Sequence, residues 1–490
     1  MKNFQVPKEI AEIVSTLIKA GYKAYVIGGC VRDLLLGREP KDWDVTTNAT
    51  PEEIQKIFPD TVYENEFGTV AVKTGSKDLK LTIVEVTTFR KEEKYSDLRH
   101  PDKIEFTDSI EEDLARRDFT VNAIALQSAN GKSQIVDPFN GQEDLKNKII
   151  RAVGDPAKRF NEDALRLMRA VRFAAELGFT IEEKTTAAIK KSANLLAKIA
   201  KERIRDEFAK IIMSDGKGPY NGVLKLEELG LLAHIIPEVR EGIGVGQNKH
   251  HIYTVWEHNL LALDYAASKN HPLEIRLAAL LHDVGKPRTK AGEGPDSTFY
   301  NHDVVGAKMT RIILGRLKFS SKLIDHVTHL VRYHLFYYNV GEVTEAGIRR
   351  FIRRVGEENI EDLLKVREAD RIGSGVPKAF PYKLRHLKFM IEKVRRDPTT
   401  PKMLAVKGDD VMKILDVPPG PKIGWILNIL LEEVLDDPAH NTKQNLESRI
   451  FNLGKLPDEK LKKIAENSKK RKEEFESGIE AEIKQKYYIE

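Results

Sequence analysis

The fold is decided by the stretch Gly-Gly-Cys-Val-Arg-Asp-Leu-Leu-Leu-Gly at residues 28–37, which Asp42-Trp43-Asp44 closely follows. The apolar segment 24–27 before the glycines predicts a strand, and residues 31–36 predict a short helix. Glycine lets a backbone approach phosphate closely, a helix N-terminus attracts anions, and the guanidinium of Arg32 suits phosphate oxygens. The pattern therefore predicts a phosphate-binding turn, with a purely steric glycine turn as the alternative for this fragment alone.

The acidic residues that follow predict a metal site. Segment 41–45, Lys-Asp-Trp-Asp-Val, predicts a strand on which Asp42 and Asp44 share one face. Neighbouring carboxylates repel unless a cation lies between them, and Mg²⁺ is usually held by one or two carboxylates together with substrate phosphates. Glu85, on a later predicted strand, is the candidate third carboxylate of a two-metal phosphoryl-transfer site. A lone aspartate is more often a solvated charge, but the adjacent glycine turn favours the catalytic interpretation.

The rest of the chain predicts an α+β protein, with a mixed-sheet head followed by an all-helical remainder. Residues 69–73 and 79–88 predict the two strands of a hairpin that turns around Gly75. From about residue 155 onward the apolar spacing is helical. The clearest apolar stripe consists of Leu167, Ala170, Val171, Ala174 and Leu177.

Composition limits the class of protein. The 490 residues allow roughly three domains, at about 150 residues per domain. A net charge of +5 permits an RNA partner without requiring one. Cys30 is the single cysteine, which excludes an intrachain disulfide and a multi-cysteine zinc site. No apolar stretch is long enough to span a membrane and the N-terminus has no signal-peptide pattern, so we expect a soluble cytoplasmic protein.

Three further segments complete a family pattern. They are Arg-Arg-Asp-Phe-Thr-Val-Asn-Ala at 116–123, Glu-Asp-Ala-Leu-Arg at 162–166 and Glu-Arg-Ile-Arg-Asp-Glu at 202–207. Together with the first motifs they resemble the class II nucleotidyltransferases, the group of bacterial and eukaryotic CCA-adding enzymes and bacterial poly(A) polymerases. The resemblance covers about the first 210 residues and implies a polymerase-β-like head. The nucleotide-binding residues it implies are Gly28, Gly29, Arg32, Arg117, Asp118, Asn122, Asp163 and Arg166.

The resemblance also implies individual roles. Asp118 and Asn122 would select ribose over deoxyribose, Arg117 would lie near the triphosphate, and residues 202–207 would steady the neck helix. Asp163 and Arg166 would read the incoming base. On a helix these two residues share a face. Arginine only donates and ionised aspartate only accepts, so together they match the edge of cytosine or adenine and leave groups unpaired with G or U. An ordinary Glu162–Arg166 ion pair is the alternative.

The sequence leaves more than one possibility for the nucleotides that are added. Residues 85–101 resemble the flexible loop with which CCA-adding enzymes change from C to A, which argues against a CC-only enzyme; an ordinary charged linker is the alternative. We expect addition of CCA from CTP and ATP to tRNA with Mg²⁺ at Asp42 and Asp44. An A-adding or CC-adding enzyme that shares the synthesis with a partner, or a poly(A) polymerase, remains the alternative. A hydrolase with an inactive head and a non-catalytic RNA scaffold fit the intact motifs less well.

A second centre is predicted from histidines, since nine of the thirteen fall between His250 and His334. The order of a subset resembles the HD phosphohydrolases. Imidazoles with carboxylates suit Mn²⁺, Fe²⁺, Co²⁺, Ni²⁺ or Zn²⁺, and such a centre would hydrolyse phosphate esters, including 2′,3′-cyclic ends. The implied ligands are His258, His282, Asp283, His302, His334 and Asp370. Surface or supporting roles are expected for His250, His251, His271, His326 and His329.

The predicted domains follow from these assignments. They are a nucleotidyltransferase head (1–150), a helical neck and body that selects nucleotides and binds RNA (151–245), an HD-type domain (246–376) and a helical C-terminal region (377–490). No RNA-recognition motif or stacking aromatic signature is evident, so we expect basic helices to contact the phosphates of tRNA. The charged tail from Asp458 onward, with Lys469-Lys470-Arg471-Lys472, is a candidate.

Overall fold

A computed structural model describes residues 4–65, 68–93, 103–129, 132–248, 252–340, 342–375, 382–395 and 401–466. The strands are β1 (Ala24–Ile27), β2 (Asp44–Thr47), β3 (Thr61–Asn65), β4 (Thr69–Lys73), β5 (Ile83–Thr88), β6 (Arg90–Glu93), β7 (Lys103–Phe106), β8 (Ala125–Ala129), β9 (Lys132–Val136), β10 (Ile149–Ile150) and β11 (Thr180–Ile181).

The head and neck contain α1 (Lys8–Lys19), α2 (Gly29–Leu35), α3 (Pro51–Ile57), α4 (Ile110–Ala115), α5 (Gly141–Asn147), α6 (Pro156–Glu162), α7 (Arg166–Leu177), α8 (Glu183–Ser192), α9 (Lys201–Ile212), α10 (Gly218–Glu228), α11 (Leu232–Ile235) and α12 (Pro237–Arg240). Beyond them lie α13 (Val255–Ser268), α14 (Leu273–Leu281), α15 (Lys286–Thr289), α16 (His302–Arg316), α17 (Ser321–Tyr333), α18 (Glu345–Val355), α19 (Ile360–Gly373), α20 (Tyr382–Val394), α21 (Gly408–Leu415), α22 (Pro421–Asp436) and α23 (Lys443–Gly454).

Seven strands of the head form one mixed sheet, in the order β3-β4-β5-β2-β1-β8-β9. β2 lies antiparallel to β1 and parallel to β5. The predicted strand at 24–27 and the helix after the two glycines are both present, as β1 and α2. The predicted fold class, a mixed-sheet head followed by a helical remainder, is therefore confirmed.

The predicted hairpin is confirmed, but its second strand is shorter than expected. β4 pairs antiparallel with β5, which begins at Ile83 instead of Leu79. Thr74 N donates to the carbonyl of Thr82 at 3.0 Å and closes the ladder there. The intervening residues therefore form a loop, and the side chain of Leu79 is 92% exposed.

The prediction of a strand over 41–45 is wrong in its first half. β2 begins at Asp44, and Asp42 lies in a bend before it. The ladder cannot extend further because Asp44 is already paired with Ile27, the last residue of β1. Gly28 then turns the partner chain away with φ +83°.

One apolar core connects the head with the helical body. It includes Ile10, Ile13, Val14 and Leu17 of α1, which pack on the sheet, and it continues as far as Val394. The predicted stripe lies on α7, where Leu167, Ala170, Val171 and Leu177 are buried and Ala174 is partly buried. A second core, between Leu404 and Leu461, holds the C-terminal helices together.

The helices that carry the predicted histidines form a bundle of their own. α13 packs on α14 and α19, and α17 packs on α14, α16 and α19. Of the predicted charged tail, residues 458–466 are helical and 467–490 lie outside the described residues. In the part of the chain that the structure describes, no helix is both long and apolar enough to cross a membrane.

Replacement of Gly141 by alanine should destabilise the head. A Cβ there would lie 2.2 Å from the Thr120 carbonyl oxygen and 2.8 Å from Cγ1 of Ile124. Overpacking of this kind costs about 1–3 kcal/mol. Urea denaturation followed by circular dichroism should show that loss in the free energy of unfolding.

The matched control is Gly315→Ala, because a Cβ on that α16 residue meets nothing within 4 Å. Alanine favours a helix interior over glycine by about 0.5–1 kcal/mol. Equal stabilities of the Gly141→Ala and Gly315→Ala variants would contradict the packing argument.

Candidate active site and metal centre

The glycine turn brings the first predicted site residues into contact. A Cβ at Gly28 would lie 2.8 Å from Nη1 of Arg117 and 3.7 Å from Oδ2 of Asp44. Its φ of +83° also favours glycine. The next residue, Gly29, opens α2, which carries Arg32. The turn therefore places the N-terminus of α2, a guanidinium and a carboxylate at one edge of the sheet.

The carboxylates gather through the register of the sheet. Asp44 lies opposite Glu85 in the parallel pair β2/β5, so the two side chains project from the same face on strands about 4.8 Å apart. Burial raises the pKa of Asp44, Arg117 opposes that shift, and the charge of Asp42 raises the pKa further. The last effect means that Asp42 lies near Asp44 although it precedes the strand. Such mutual repulsion fits a divalent cation between the carboxylates.

A chain of hydrogen bonds connects α2 with α7 beside this cluster. Nη1 of Arg32 donates to Oδ1 of Asn122 at 2.8 Å, and Nδ2 of Asn122 donates to Oδ1 of Asp118 at 3.2 Å. Nε of Arg169 donates to Oδ2 of Asp118 at 2.8 Å. Burial alone would raise the pKa of Asp118, but Arg169 and Arg166 lower it to about 2. No sequence motif indicated Arg169, which lies three residues after Arg166 on the same helix.

The expectation that Asp163 and Arg166 share a helix face is wrong. Asp163 caps the end of α6 in an extended conformation, and Arg166 opens α7. The carboxylate of Asp163 accepts from the backbone N of Leu165 at 3.0 Å, which interrupts one helix and starts the next. The two residues therefore meet at a helix junction and not along one helix.

Both base-reading candidates are held by other charged groups. Nη1 and Nη2 of Arg203, on α9, donate to the two oxygens of Asp163 at 3.2 and 2.9 Å. Nη1 of Arg166 donates to Glu162 at 2.7 Å, and Nη2 donates to the backbone carbonyl of Arg116 at 3.0 Å. The alternative Glu162–Arg166 ion pair thus exists, and it orients Arg166 beside the 116–123 motif. The role of Arg203 was missed.

The described part of the predicted flexible loop is bound to the same motif. β6 and β7 form a two-stranded ribbon at the base of the loop, and residues 94–102 lie outside the described residues. The carboxylate of Glu92 accepts from Nε of Arg90 at 2.8 Å and from Nη1 of Arg116 at 3.1 Å. The side chain of Arg116 therefore contacts the base of the loop, and the backbone carbonyl of Arg116 accepts a hydrogen bond from Arg166.

The predicted histidine cluster forms a buried group. α13 supplies His258, the end of α14 supplies His282 and Asp283, α16 begins with His302, α17 ends before His334, and α19 supplies Asp370; all six are buried. Oδ2 of Asp283 lies 3.1 Å from Nε2 of His258 and 3.4 Å from Nε2 of His282. Its Oδ1 lies 3.4 Å from Nε2 of His302 and 3.6 Å from Nε2 of His334. Asp283 thus belongs to two ligand trios at once.

Backbone carbonyls orient three of the rings. Nδ1 of His282, His302 and His334 hydrogen bonds to the carbonyls of Ala279, Phe299 and Val331, at 2.8, 2.7 and 2.7 Å. These contacts fix the tautomer and turn Nε2 toward the centre. Burial would lower the pKa of His282, but Asp283 and Asp370 raise it to about 10. The two carboxylates thus favour a positive charge at this position.

The chemistry of the centre fits a metal ion. Neither buried oxygen of Asp283 accepts a hydrogen bond of normal geometry from the described residues, although Nζ of Lys286 lies 2.6 Å from Oδ2. Lys286 also donates to Oε1 of Gln247 at 2.6 Å. Burial lowers the pKa of His302 to about 4. Lys286 and Gln247 were missed in the sequence.

The remaining histidines of this region have other partners or are not described. Nε2 of His326 lies 3.1 Å from Asp362, and Nε2 of His329 bonds to the Val355 carbonyl at 2.6 Å. Burial lowers the pKa of His271. His250 and His251 lie outside the described residues. Among the described residues, none of these three belongs to the ligand groups around Asp283.

Comparisons with known proteins agree with this geometry. Residues 24–151 match the sequence model of the "Poly A polymerase head domain", residues 178–242 match the "Probable RNA and SrmB- binding site of polymerase A", and residues 300–450 match tRNA nucleotidyltransferase domain 2. The CCA-adding enzyme of Lactobacillus helveticus is 52% identical over 210 residues, which is 43% of this chain and half of that enzyme.

Two further relatives match nearly the whole chain. The CCA-adding enzyme of Lactococcus lactis is 34% identical over 446 residues, which cover 90% of this chain and 97% of that enzyme. The crystal structure of the Bacillus stearothermophilus CCA-adding enzyme in complex with CTP superimposes with a TM-score of 0.68 at 30% identity, over 91% of this chain and 98% of that one. The chain is therefore a nucleotidyltransferase and belongs to the family of CCA-adding enzymes.

Proposed function

We propose that this chain adds C, C and A to the 3′ end of tRNA from CTP and ATP, without a nucleic-acid template. The observation that carries the proposal is the contact of Gly28, Asp44 and Arg117 at the edge where Glu85 pairs with Asp44. The Lactococcus lactis enzyme, aligned over 90% of the chain, supports the same activity.

Each residue of the head has a task in this reaction. Asp42 and Asp44, assisted by Glu85, would hold Mg²⁺, which when bound favours attack by the RNA 3′-hydroxyl and departure of pyrophosphate. The Gly28-Gly29 turn and Arg32 would bind the triphosphate at the N-terminus of α2, with Arg117 beside them. Asp118 and Asn122 would contact the ribose, as the resemblance implies, and their mutual hydrogen bond holds the two side chains together.

Protein side chains would replace a template. Asp163 offers acceptors and Arg166 offers donors, which fits the pairing edges of cytosine and adenine. The bidentate contact with Arg203 fixes the plane of the Asp163 carboxylate, and Glu162 fixes the guanidinium of Arg166. The donors and acceptors of guanine or uracil would not match these two side chains, so buried polar groups would stay unpaired and binding would be strongly disfavoured.

We also propose that the buried histidine cluster is a metal-dependent phosphohydrolase centre. His258 and His282 lie beside one oxygen of Asp283, while His302 and His334 face the other. Oδ1 of Asp370 lies 3.3 Å from Nε2 of His258. Mn²⁺, Fe²⁺, Co²⁺, Ni²⁺ or Zn²⁺ suits such ligands and would supply an activated water for phosphate ester hydrolysis. Lys286, paired with Asp283, would hold that shared carboxylate in place. A 2′,3′-cyclic phosphate at a damaged tRNA end is the proposed substrate.

The first prediction concerns the products of addition. A tRNA that lacks its CCA should gain C, C and A and then stop when both CTP and ATP are present. Asp44→Asn should lower the rate by at least about a hundredfold, since it removes one of the carboxylates that would hold Mg²⁺. Gel electrophoresis at single-nucleotide resolution measures both. Addition of A alone to a tRNA ending in CC, a stop after two C, or an open-ended A ladder would each contradict the proposal.

The second prediction concerns Arg203. In Arg203→Ala the carboxylate of Asp163 loses its bidentate partner, so the preference for CTP over UTP should fall by about tenfold or more. Arg203→Lys, which keeps the charge and loses the fork, should fall between this variant and the wild type. The ratio of the kcat/KM values for CTP and UTP is the measurement.

Arg205→Ala is the matched control for Arg203. Arg205 lies on the same helix, but it pairs with Asp206 and the Lys318 carbonyl. Loss of preference in both variants would indicate a general effect of α9, and an unchanged preference in Arg203→Ala would exclude the positioning role.

The third prediction concerns the histidine cluster. Asp283→Ala should reduce the transition metal that copurifies with the protein, measured by mass spectrometry, and should abolish hydrolysis of a 2′,3′-cyclic phosphate. CCA addition should persist, because the head does not use this residue. His326→Ala, outside the cluster, should change neither quantity. Undiminished metal content and hydrolysis in Asp283→Ala would refute the assignment.

A further inference from the structure

The face of the head sheet that carries the candidate carboxylates continues beyond them onto β4 and β3. Glu85 of β5 lies opposite Asp44 on one side and opposite Ala71 of β4 on the other. Ala71 in turn lies opposite Val62 of β3. Residues that lie opposite each other on neighbouring strands project from the same face of a sheet. The four side chains therefore form one row across the sheet.

Two further residues of this face lie one step along the strands. Ile83 precedes Glu85 by two residues and is paired with Lys73, which follows Ala71 by two residues. Side chains alternate along a strand, so Ile83 and Lys73 share the face of the row. Ile83 is 54% exposed, Val62 is 49% exposed, and Lys73 is exposed as well. These three side chains, which we call the ledge, adjoin the carboxylates on one surface.

The groups proposed to hold the triphosphate lie on the other side of Asp44. In the sheet, β1 and β5 flank β2 on opposite sides. The Gly28 turn follows β1 and leads into α2, and Arg117 lies beside this turn. In the proposed reaction the pyrophosphate therefore departs on the β1 side of Asp44.

The geometry of phosphoryl transfer then fixes the direction of attack. The attacking and leaving oxygens lie roughly in line on opposite sides of the transferred phosphorus. Since pyrophosphate departs toward β1, the RNA 3′-hydroxyl approaches from β5, past Glu85. The nucleotide that carries this hydroxyl must therefore lie over the part of the sheet that holds the ledge.

We propose that the ledge binds the 3′-terminal nucleotide of the RNA that is being extended. Ile83 and Val62 contact its sugar and base, and Nζ of Lys73 pairs with the phosphate on its 5′ side. Among the described residues, no carboxylate pairs with Lys73, so its charge is available to a phosphate. The inference rests on the proposed function, in which the 3′ end of tRNA is the nucleophile.

The composition of the ledge suits an RNA end whose last base changes. Before the three proposed additions, the terminal nucleotide is the last one of the tRNA itself, then C, then a second C. The side chains of Ile83 and Val62 have no hydrogen-bonding groups, and apolar contact is non-directional. They therefore hold any base without reading its edge, which leaves the selection of the incoming nucleotide to Asp163 and Arg166.

A photocrosslink in the full-length wild-type chain tests the position directly. The probe is a tRNA without CCA that ends in 4-thiouridine lacking its 3′-hydroxyl, so that CTP and Mg²⁺ can bind without reaction. Mass spectrometry of the irradiated complex should find the crosslink within residues 61–88, which span β3, β4 and β5. Crosslinks confined to other parts of the chain would overturn the inference.

This readout requires no catalysis. Failure of the wild-type chain to add C, C and A would contradict the proposed function, whereas the crosslinked position would still decide the role of the ledge.

The variant Lys73→Ala tests the phosphate contact. The kcat/KM for tRNA should fall about tenfold, because a hydrogen bond to a charged group is lost. The slope of log kcat/KM against log salt should change by about 0.7, as expected for one phosphate of a single strand. The KM for CTP should stay unchanged, since the triphosphate lies on the other side of Asp44. Lys73→Arg should restore the wild-type values.

The matched control is Lys56→Ala. Lys56 is an exposed lysine of α3, the helix that packs on β4 and β5 from the opposite face through Ile54. This variant should leave the kcat/KM for tRNA and its salt dependence unchanged. An equal loss in Lys56→Ala and Lys73→Ala would contradict a specific phosphate contact.

The variant Ile83→Ala tests the apolar contact. The kcat/KM for tRNA should fall at least about fourfold, as for one methylene group removed from an apolar contact. The loss should be similar for RNAs that end in A, C, G or U. Ile312→Ala is the control, since Ile312 is 63% exposed on α16, and it should have no effect. Unchanged kcat/KM in both Lys73→Ala and Ile83→Ala, as a docking surface for a protein would give, would overturn the inference.

Discussion

The hydrogen-bonded register of three strands is the constraint on which the head depends. Ile27 faces Asp44, and Asp44 faces Glu85, so the end of one strand and two carboxylates are fixed by backbone pairing alone. A slip of β2 by one residue would turn Asp44 to the face of the sheet opposite Glu85. Val45 and Val86, one step further along, are fully buried and make such a slip costly. Packing of the core thus fixes the chemistry at its edge.

In the helical region, too, the positions of the site residues are fixed by the ends of secondary-structure elements. His282, His302 and His334 each stand at a helix terminus, where Nδ1 reaches a backbone carbonyl three residues earlier. Burial of so many ionisable groups is costly unless they compensate one another. The histidines, the two aspartates and Lys286 do so around one centre.

Arginines connect the motifs of the head to one another. Arg116 contacts Glu92 at the loop base, and its carbonyl accepts from Arg166. Arg203 joins α9 to Asp163, and Arg169 joins α7 to Asp118. Each of these side chains is long enough to cross between elements that are distant in sequence. The motifs are therefore parts of one charged network.

The sequence by itself determined the strand–glycine–helix start, the mixed-sheet head, the helical remainder and the family, because local spacing and short motifs carry that information. The order of histidines and aspartates in the sequence also predicted the six buried residues of the histidine cluster, which the fold places together. Only the tertiary structure decided that β2 begins at Asp44, that a junction separates Asp163 from Arg166, and that Arg203, Arg169 and Lys286 hold the site residues. These facts depend on pairing and burial between distant segments, and no local pattern encodes them.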